Sequence, residues 1–305
     1  MNTGFLYALA TYILWGLFPV YWKQLHHIDA AQLIGHRIVW AFIMLMIVII
    51  STRKWSQFRK KLNTQNLKAH GLAALLLGIN WLIYVWAVNN GYIIESSLGY
   101  FINPLFSVLM GMIFLKEKLR PVQWIPLGLA TIGVLYLTFA YGRLPWIALG
   151  LAFSFGVYGL LKKRSTLGSL YGLTLETGII FLPDLAYLLY TTSFGEGAFL
   201  VSGAKTDIFL IGAGLITAVP LLLFAKAVQR ISLTMIGLMQ YIAPTGQFLI
   251  GVLLYKEEFT ASQAIGFGII WTALILFWAE SWLVNRKNSL VFLQSKAKKI
   301  DNTQV

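Results

Sequence analysis

The 305-residue chain contains no cysteine, which excludes disulfide scaffolds, thiolate metal centres and thiol nucleophiles. Charge is nearly as scarce. Only 11% of the residues are Asp, Glu, Lys or Arg, less than half the share of about 25% usual in a soluble domain. A water-soluble enzyme or binding module cannot cover its surface with so few charges. Acid is scarcest, with 11 Asp and Glu against 24 Lys and Arg, for a net charge of +13. A nucleic-acid patch would need hydrophilic faces that this chain lacks, so no nucleic-acid partner is expected. Also missing are His-Glu-x-x-His, Gly-x-Ser-x-Gly and the Gly-x-x-x-x-Gly-Lys phosphate loop. No enzymatic activity, metal or other cofactor is therefore expected, and nothing in the sequence suits ATP-driven transport.

What is present is apolar: 58% hydrophobic residues and a mean hydropathy of +0.72. A bilayer core about 30 Å thick takes about 20 apolar helical residues per crossing. Such runs occur at 4–22, 30–50, 70–89, 92–115, 122–139, 145–161, 169–190, 207–226, 232–255 and 261–283. The expected fold is all-α integral membrane, with ten transmembrane helices. The first run lacks a basic leader and a small-residue cleavage site, so it is expected to stay as a helix. With the N-terminus inside, 19 of the 24 basic residues are cytoplasmic, while Lys23, Arg143, Lys205 and Lys256 are outside and Arg37 lies within a span. This bias predicts a multi-pass protein of the cell (inner or plasma) membrane with both termini cytoplasmic. Residues 52–62 carry Trp55, Phe58 and Leu62 on one helical face among Arg53, Lys54, Arg59, Lys60 and Lys61. That pattern suits a helix lying on a lipid bilayer with an anionic inner leaflet. Residues 284–305 read as a basic, frayed cytoplasmic tail.

A shift of 140 residues aligns the two halves without a gap. Leu98, Ile102, Pro104, Leu109, Gly111, Lys116, Glu117, Gln123 and Gly128 fall on Leu238, Ile242, Pro244, Leu249, Gly251, Lys256, Glu257, Gln263 and Gly268. Residues 1–140 and 141–283 thus read as two five-helix repeats. An odd number of spans makes the second repeat enter the membrane from the opposite side. Inverted repeats are the architecture of many secondary transporters, with the substrate site near the midplane. An uncoupled channel-like facilitator or a scaffolding membrane protein is the alternative.

The stretches His36-Arg37-Ile-Val-Trp40, Asn80-Trp81-Leu82, Ala87-Val-Asn-Asn90 and Glu95-Ser-Ser-Leu-Gly-Tyr-Phe-Ile-Asn-Pro104 resemble the RarD group. Gln240-Tyr-Ile-Ala-Pro244 and the Glu of Leu175-Glu176-Thr177 fit the same group. This is an EamA-like branch of the drug/metabolite transporter superfamily, named for a chloramphenicol-sensitivity protein. The resemblance implies ten helices in two inverted repeats, a central cavity and transport, with export preferred, of small organic solutes or drugs. It leaves the solute, the coupling ion and the oligomeric state open.

Ionisable groups inside a span cost about 2.5–3.5 kcal/mol on insertion scales, so each is a candidate for function. His36, Arg37, Glu95 and Glu176 are the deepest, with Lys226, Arg230 and Glu280 nearer the ends. An Arg37–Glu95 pair is within reach, and Lys226 or Arg230 is the nearest cation in depth for Glu176. His36 is read as the only membrane-embedded histidine. Pro104 and Pro244 are expected to break or kink equivalent helices, with Asn103, Gln240 and Tyr241 beside them and Asn80 at mid-depth as polar contacts. Trp81 and Tyr100, with Trp15, Trp40, Tyr84 and Tyr158, are candidates for an aromatic lining.

Overall fold

The computed structural model describes residues 3–90, 92–142, 144–256 and 260–301. Arg143, Glu257 and the last four residues of the tail, named above, lie outside the described residues. Every regular element among the described residues is helical: α1 (Thr3–Gly16), α2 (Phe18–Trp22), α3 (Ala30–Ser51), α4 (Trp55–Lys60), α5 (Thr64–Asn89), α6 (Ile93–Leu115), α7 (Trp124–Tyr141), α8 (Trp146–Arg164), α9 (Ser169–Ser193), α10 (Ala204–Val228), α11 (Leu233–Gln240), α12 (Ile242–Leu249) and α13 (Ala261–Asp301). Nine segments among the described residues are long and apolar enough to cross a membrane, α1–α2 and α11–α12 each counting as one. The tenth expected span is α8, whose last turn holds Lys162, Lys163 and Arg164 and lowers its hydropathy. The fold is all-α and of the membrane type.

The helices group into two compact units. One comprises Met1–Glu117 and Arg143–Glu258, the other Lys118–Gly142 and Phe259–Val305. The first holds four spans from each half of the sequence; the second holds the fifth of each, α7 and α13, which pack on one another.

The 140-residue shift is visible in this packing. In the first unit α3 packs on its counterpart α9, and α6 on its counterpart α11. The contact of α6 with α8 recurs as α11 and α12 with α1, and that of α3 with α10 recurs as α9 with α5. Equivalent helices meeting one another is what a two-fold axis produces. Single residues obey it too: the Tyr241 hydroxyl donates to the Phe101 carbonyl at 3.2 Å, and these two are equivalents. Lys116 and Lys256, also equivalents, both end their helical segments in the left-handed region, at φ 53° and 57°.

Tight crossings are made where glycine removes a Cβ. A Cβ on Gly214 of α10 would sit 2.5 Å from the Trp40 backbone carbon of α3. Gly16 of α1 and Gly246 of α12 meet with their Cα atoms facing each other. Between the helices, Tyr12, Tyr158, Leu77, Leu173, Phe224 and Ile236 fill a continuous apolar core. Helix ends are capped by nearby acid. Asp29 accepts from the backbone N–H groups of Ala31 and Gln32 at 3.0 and 3.1 Å at the start of α3. Glu117 accepts from the N–H groups of Leu233 and Thr234 at 2.7 and 2.8 Å at the start of α11, where the helix dipole favours an anion.

Four expectations need correction. The third helix begins at Thr64, not residue 70, because its polar first turns are helical as well. The first and ninth spans are broken rather than continuous, at Leu17 before Pro19 and at Tyr241 before Pro244, and the ninth ends in a π-helical turn at Ile250–Leu254. Pro104 leaves α6 unbroken. The tail is not frayed after 283: α13 runs to Asp301, through a stretch without Gly or Pro.

Candidate functional site

The first unit contains two polar clusters. The upper one surrounds Arg37. Arg37 and Tyr100 each stand seven residues inside their helices (Ala30 to Arg37, Ile93 to Tyr100), about 10 Å at 1.5 Å per residue. The Arg37 Nε donates to Thr217 Oγ1 of α10 at 3.0 Å. Its guanidinium carbon lies 4.8 Å from the Trp22 ring centre and 5.4 Å from that of Trp81, within cation–π range. Tyr84 of α5 and Tyr100 of α6 are within electrostatic reach, their ring centres 6.3 Å apart. Four other spans thus converge on one cation of α3. Its terminal nitrogens have no protein acceptor among the described residues, yet are not sealed from solvent.

The lower cluster surrounds Glu176 of α9, which is fully buried. Lys162 Nζ of α8 donates to Glu176 Oε1 at 2.8 Å, and His70 Nδ1 of α5 lies 2.6 Å from the same oxygen. The Tyr158 hydroxyl donates to Oε2 at 3.2 Å, and His70 Nε2 shares a 3.0 Å hydrogen bond with Ser165 Oγ. Lys162 is 1% exposed. Charge and hydrogen bonds are both answered within this group, as burial of a carboxylate requires.

These partners differ from the sequence expectations. Arg37 does not pair with Glu95. Glu95 Oε1 instead accepts from the backbone N–H of Ile147 at 2.8 Å, in the first turn of α8 where N–H groups lack helical partners. Glu176 takes its cation from Lys162, not from Lys226 or Arg230, which lie over the Tyr7 ring at 5.3 and 5.2 Å. His36 is not the only buried histidine, since His70 is buried too. His70 stood at the edge of an apolar run and Lys162 in a loop by hydropathy. The findable signal was the Tyr158–Lys162 spacing, which places a hydroxyl and an ammonium on one helical face toward the short connection to α9. Trp22 and Thr217 carried no signal of their own.

The other candidates serve several contacts. Asn80 donates to the Leu151 carbonyl and to Ser154 Oγ, both at 2.9 Å, joining α5 to α8. Its equivalent, Pro220, offers its carbonyl to Thr11 Oγ1 at 3.4 Å. Ser107 donates to Gln240 Oε1 at 3.4 Å across α6 and α11. His36 Nδ1, Trp40 Nε1 and Asn103 Oδ1 are buried without a hydrogen-bond partner among the described residues. The rings of His36 and Trp40 lie against Phe199, at 5.4 and 5.7 Å. Trp55 and Phe58 share a face of α4, their ring centres 5.9 Å apart, but Phe58 packs inward against Ile49, Leu167 and Leu175 while Trp55 remains 46% exposed.

Nine segments of membrane-crossing length and apolarity among the described residues, with polar clusters buried between them, are those of a multi-pass membrane protein. The EamA-like transporter family matches residues 2–139. The chain is 46% identical over 280 residues to "Uncharacterized transporter YojE" of Bacillus subtilis (strain 168), covering 90% of this chain and 93% of that protein. It is 42% identical over 276 residues to "Protein RarD" of Streptomyces exfoliatus (90% and 88% covered) and 39% identical over 288 residues to "Protein RarD" of Escherichia coli (strain K12), with 94% and 97% covered. A crystal structure titled only as that of a protein shares the fold at a TM-score of 0.68 and 16% identity, over 90% of this chain and 97% of that one. The chain belongs to the RarD group of the EamA-like family, and is a membrane transporter of the drug/metabolite type.

Proposed function

We propose that the protein is a secondary transporter of small organic solutes that works outward by alternating access. The observation that carries this reading is the two-fold packing of equivalent helices, above all α3 on α9 and α6 on α11. Two repeats of residues 1–140 and 141–283, related in this way, can exchange conformations and open a shared interior site first to one side and then to the other. The cluster of Arg37, Trp22, Trp81, Tyr84, Tyr100 and Thr217 is the substrate site in this reading. Five different spans supply it, so any rearrangement between spans changes it. The Glu176–Lys162–His70 group lies nearer the opposite helix ends and acts as the charge centre that couples closure to an ion. The cations of residues 53–61 face the anionic inner leaflet with both termini cytoplasmic, and exposed Trp55 enters the headgroup layer. Proteoliposome counterflow tests the reading. Internal solute should accelerate uptake of labelled solute through a carrier; equal uptake with empty vesicles would make the protein a channel-like facilitator.

A further inference from the structure

The solute has a readable chemistry at Arg37, which rests on the transporter reading above. Arg37 is held at one nitrogen only, by Thr217 Oγ1 at 3.0 Å. Among the described residues no carboxylate pairs with it. The groups of possible charge around it are the phenols of Tyr84 and Tyr100. An ionisable group inside a membrane domain normally pairs with another one or with backbone carbonyls, and the terminal nitrogens of Arg37 have neither among the described residues. Here Glu95, at a similar depth, is turned to the N-terminus of α8, and Glu176 is committed to Lys162 and His70. The two terminal nitrogens form a planar fork, the geometry that grips a carboxylate with two parallel hydrogen bonds. Around that fork the surfaces are aromatic. The Trp22 and Trp81 rings flank the cation, and Tyr100 is 40% exposed beside it.

We propose that Arg37 binds the carboxylate of a small organic anion whose apolar body lies against Trp81, Tyr84 and Tyr100. The anion supplies the missing counter-charge, and the rings supply a face for a flat or hydrocarbon body. Cationic solutes are repelled by the same group, and neutral amides offer one carbonyl acceptor without the counter-charge or the second oxygen. A phosphate headgroup offers the same two-oxygen grip, so the test separates a free acid from an anionic lipid.

The experiment is thermal unfolding of the purified full chain in a neutral detergent, against matched sets of equal shape. Benzoate, phenylacetate and 4-methylpentanoate are compared with their amides and with the corresponding amines, and with phosphatidylglycerol added to the micelle. A ligand that binds only the folded state raises the unfolding midpoint in a concentration-dependent way. At least one acid should raise it, with an apparent affinity at least tenfold above its amide and no shift from its amine. Arg37→Gln should lower that affinity at least tenfold, and Arg37→Lys, a point charge without the fork, should fall between. Amides that match their acids, or no response to any acid, overturns the proposal on the wild-type protein alone, whatever the variants do. A response to phosphatidylglycerol alone assigns the fork to lipid and overturns it too. Acids that bind through Arg37 but show no counterflow leave the site standing and refute the transporter reading. Counterflow confined to neutral or cationic solutes does the reverse.

Discussion

Substituting Lys162 and Glu176 singly and together measures how the lower cluster holds its charge. Glu176→Gln strands the Lys162 ammonium, whose other contact is the Tyr158 ring at 5.8 Å. Removing one partner of a buried pair costs about 3–5 kcal/mol, and this variant should fall in that range. Lys162→Met strands the carboxylate instead, but His70 at 2.6 Å and the Tyr158 hydroxyl at 3.2 Å still serve its two oxygens. Its loss should therefore be smaller, toward about 3 kcal/mol. The double variant leaves no stranded charge and should be more stable than the sum of the single losses by about 0.5–3 kcal/mol. Equilibrium unfolding in mixed micelles of the four proteins closes the cycle. Strict additivity, or a Lys162→Met protein as stable as wild type, would show that the two side chains do not hold one another's charge. In vesicles the double variant, if folded, should show impaired transport, since the coupling charge is gone; wild-type flux would leave the cluster a structural brace.

Further outcomes follow from packing and capping. Gly214→Ala should lose about 1–3 kcal/mol, because its Cβ would fall 2.5 Å from the Trp40 backbone, whereas Gly128→Ala, with open space around its Cβ, should be neutral; unfolding midpoints of the pair check this. Glu117→Ala should cost about 0.5–2 kcal/mol through the Leu233 and Thr234 N–H groups it leaves unpaired, while Ser232 still caps Met235 at the start of α11; faster hydrogen exchange at Leu233 and Thr234 checks this. In the second unit, Arg120 is 42% exposed but reaches the 9% exposed Glu280 at 2.6 Å, so Arg120→Ala takes the cation from a buried carboxylate and should cost about 1–3 kcal/mol, measured by the same unfolding.

Much of the fold was legible because a membrane domain advertises itself by composition. Apolar runs locate spans, and the 140-residue shift is carried by Pro, Gly and Lys-Glu matches that chance rarely aligns. The pairings were less legible. Hydropathy assigns each residue by type, so Lys162 and His70 were placed at a surface although Glu176 draws both into the interior. A span broken at Tyr241 reads as one run, since the break lies in backbone geometry rather than in polarity. Arg37 stood out as the lone cation in a span, but its neighbours come from α2, α5, α6 and α10, and no local spacing brings those together.

The absence of cysteine makes the most direct test of alternating access simple, because one introduced thiol is the only thiol. Tyr100→Cys in proteoliposomes of known orientation, challenged with a membrane-impermeant maleimide from either side, reports which face reaches the Arg37 site. Alternating access predicts labelling from both sides in separate experiments, with a transported solute raising the rate on one side while lowering it on the other. Labelling from one side only, or rates from the two sides that rise and fall together, would contradict it.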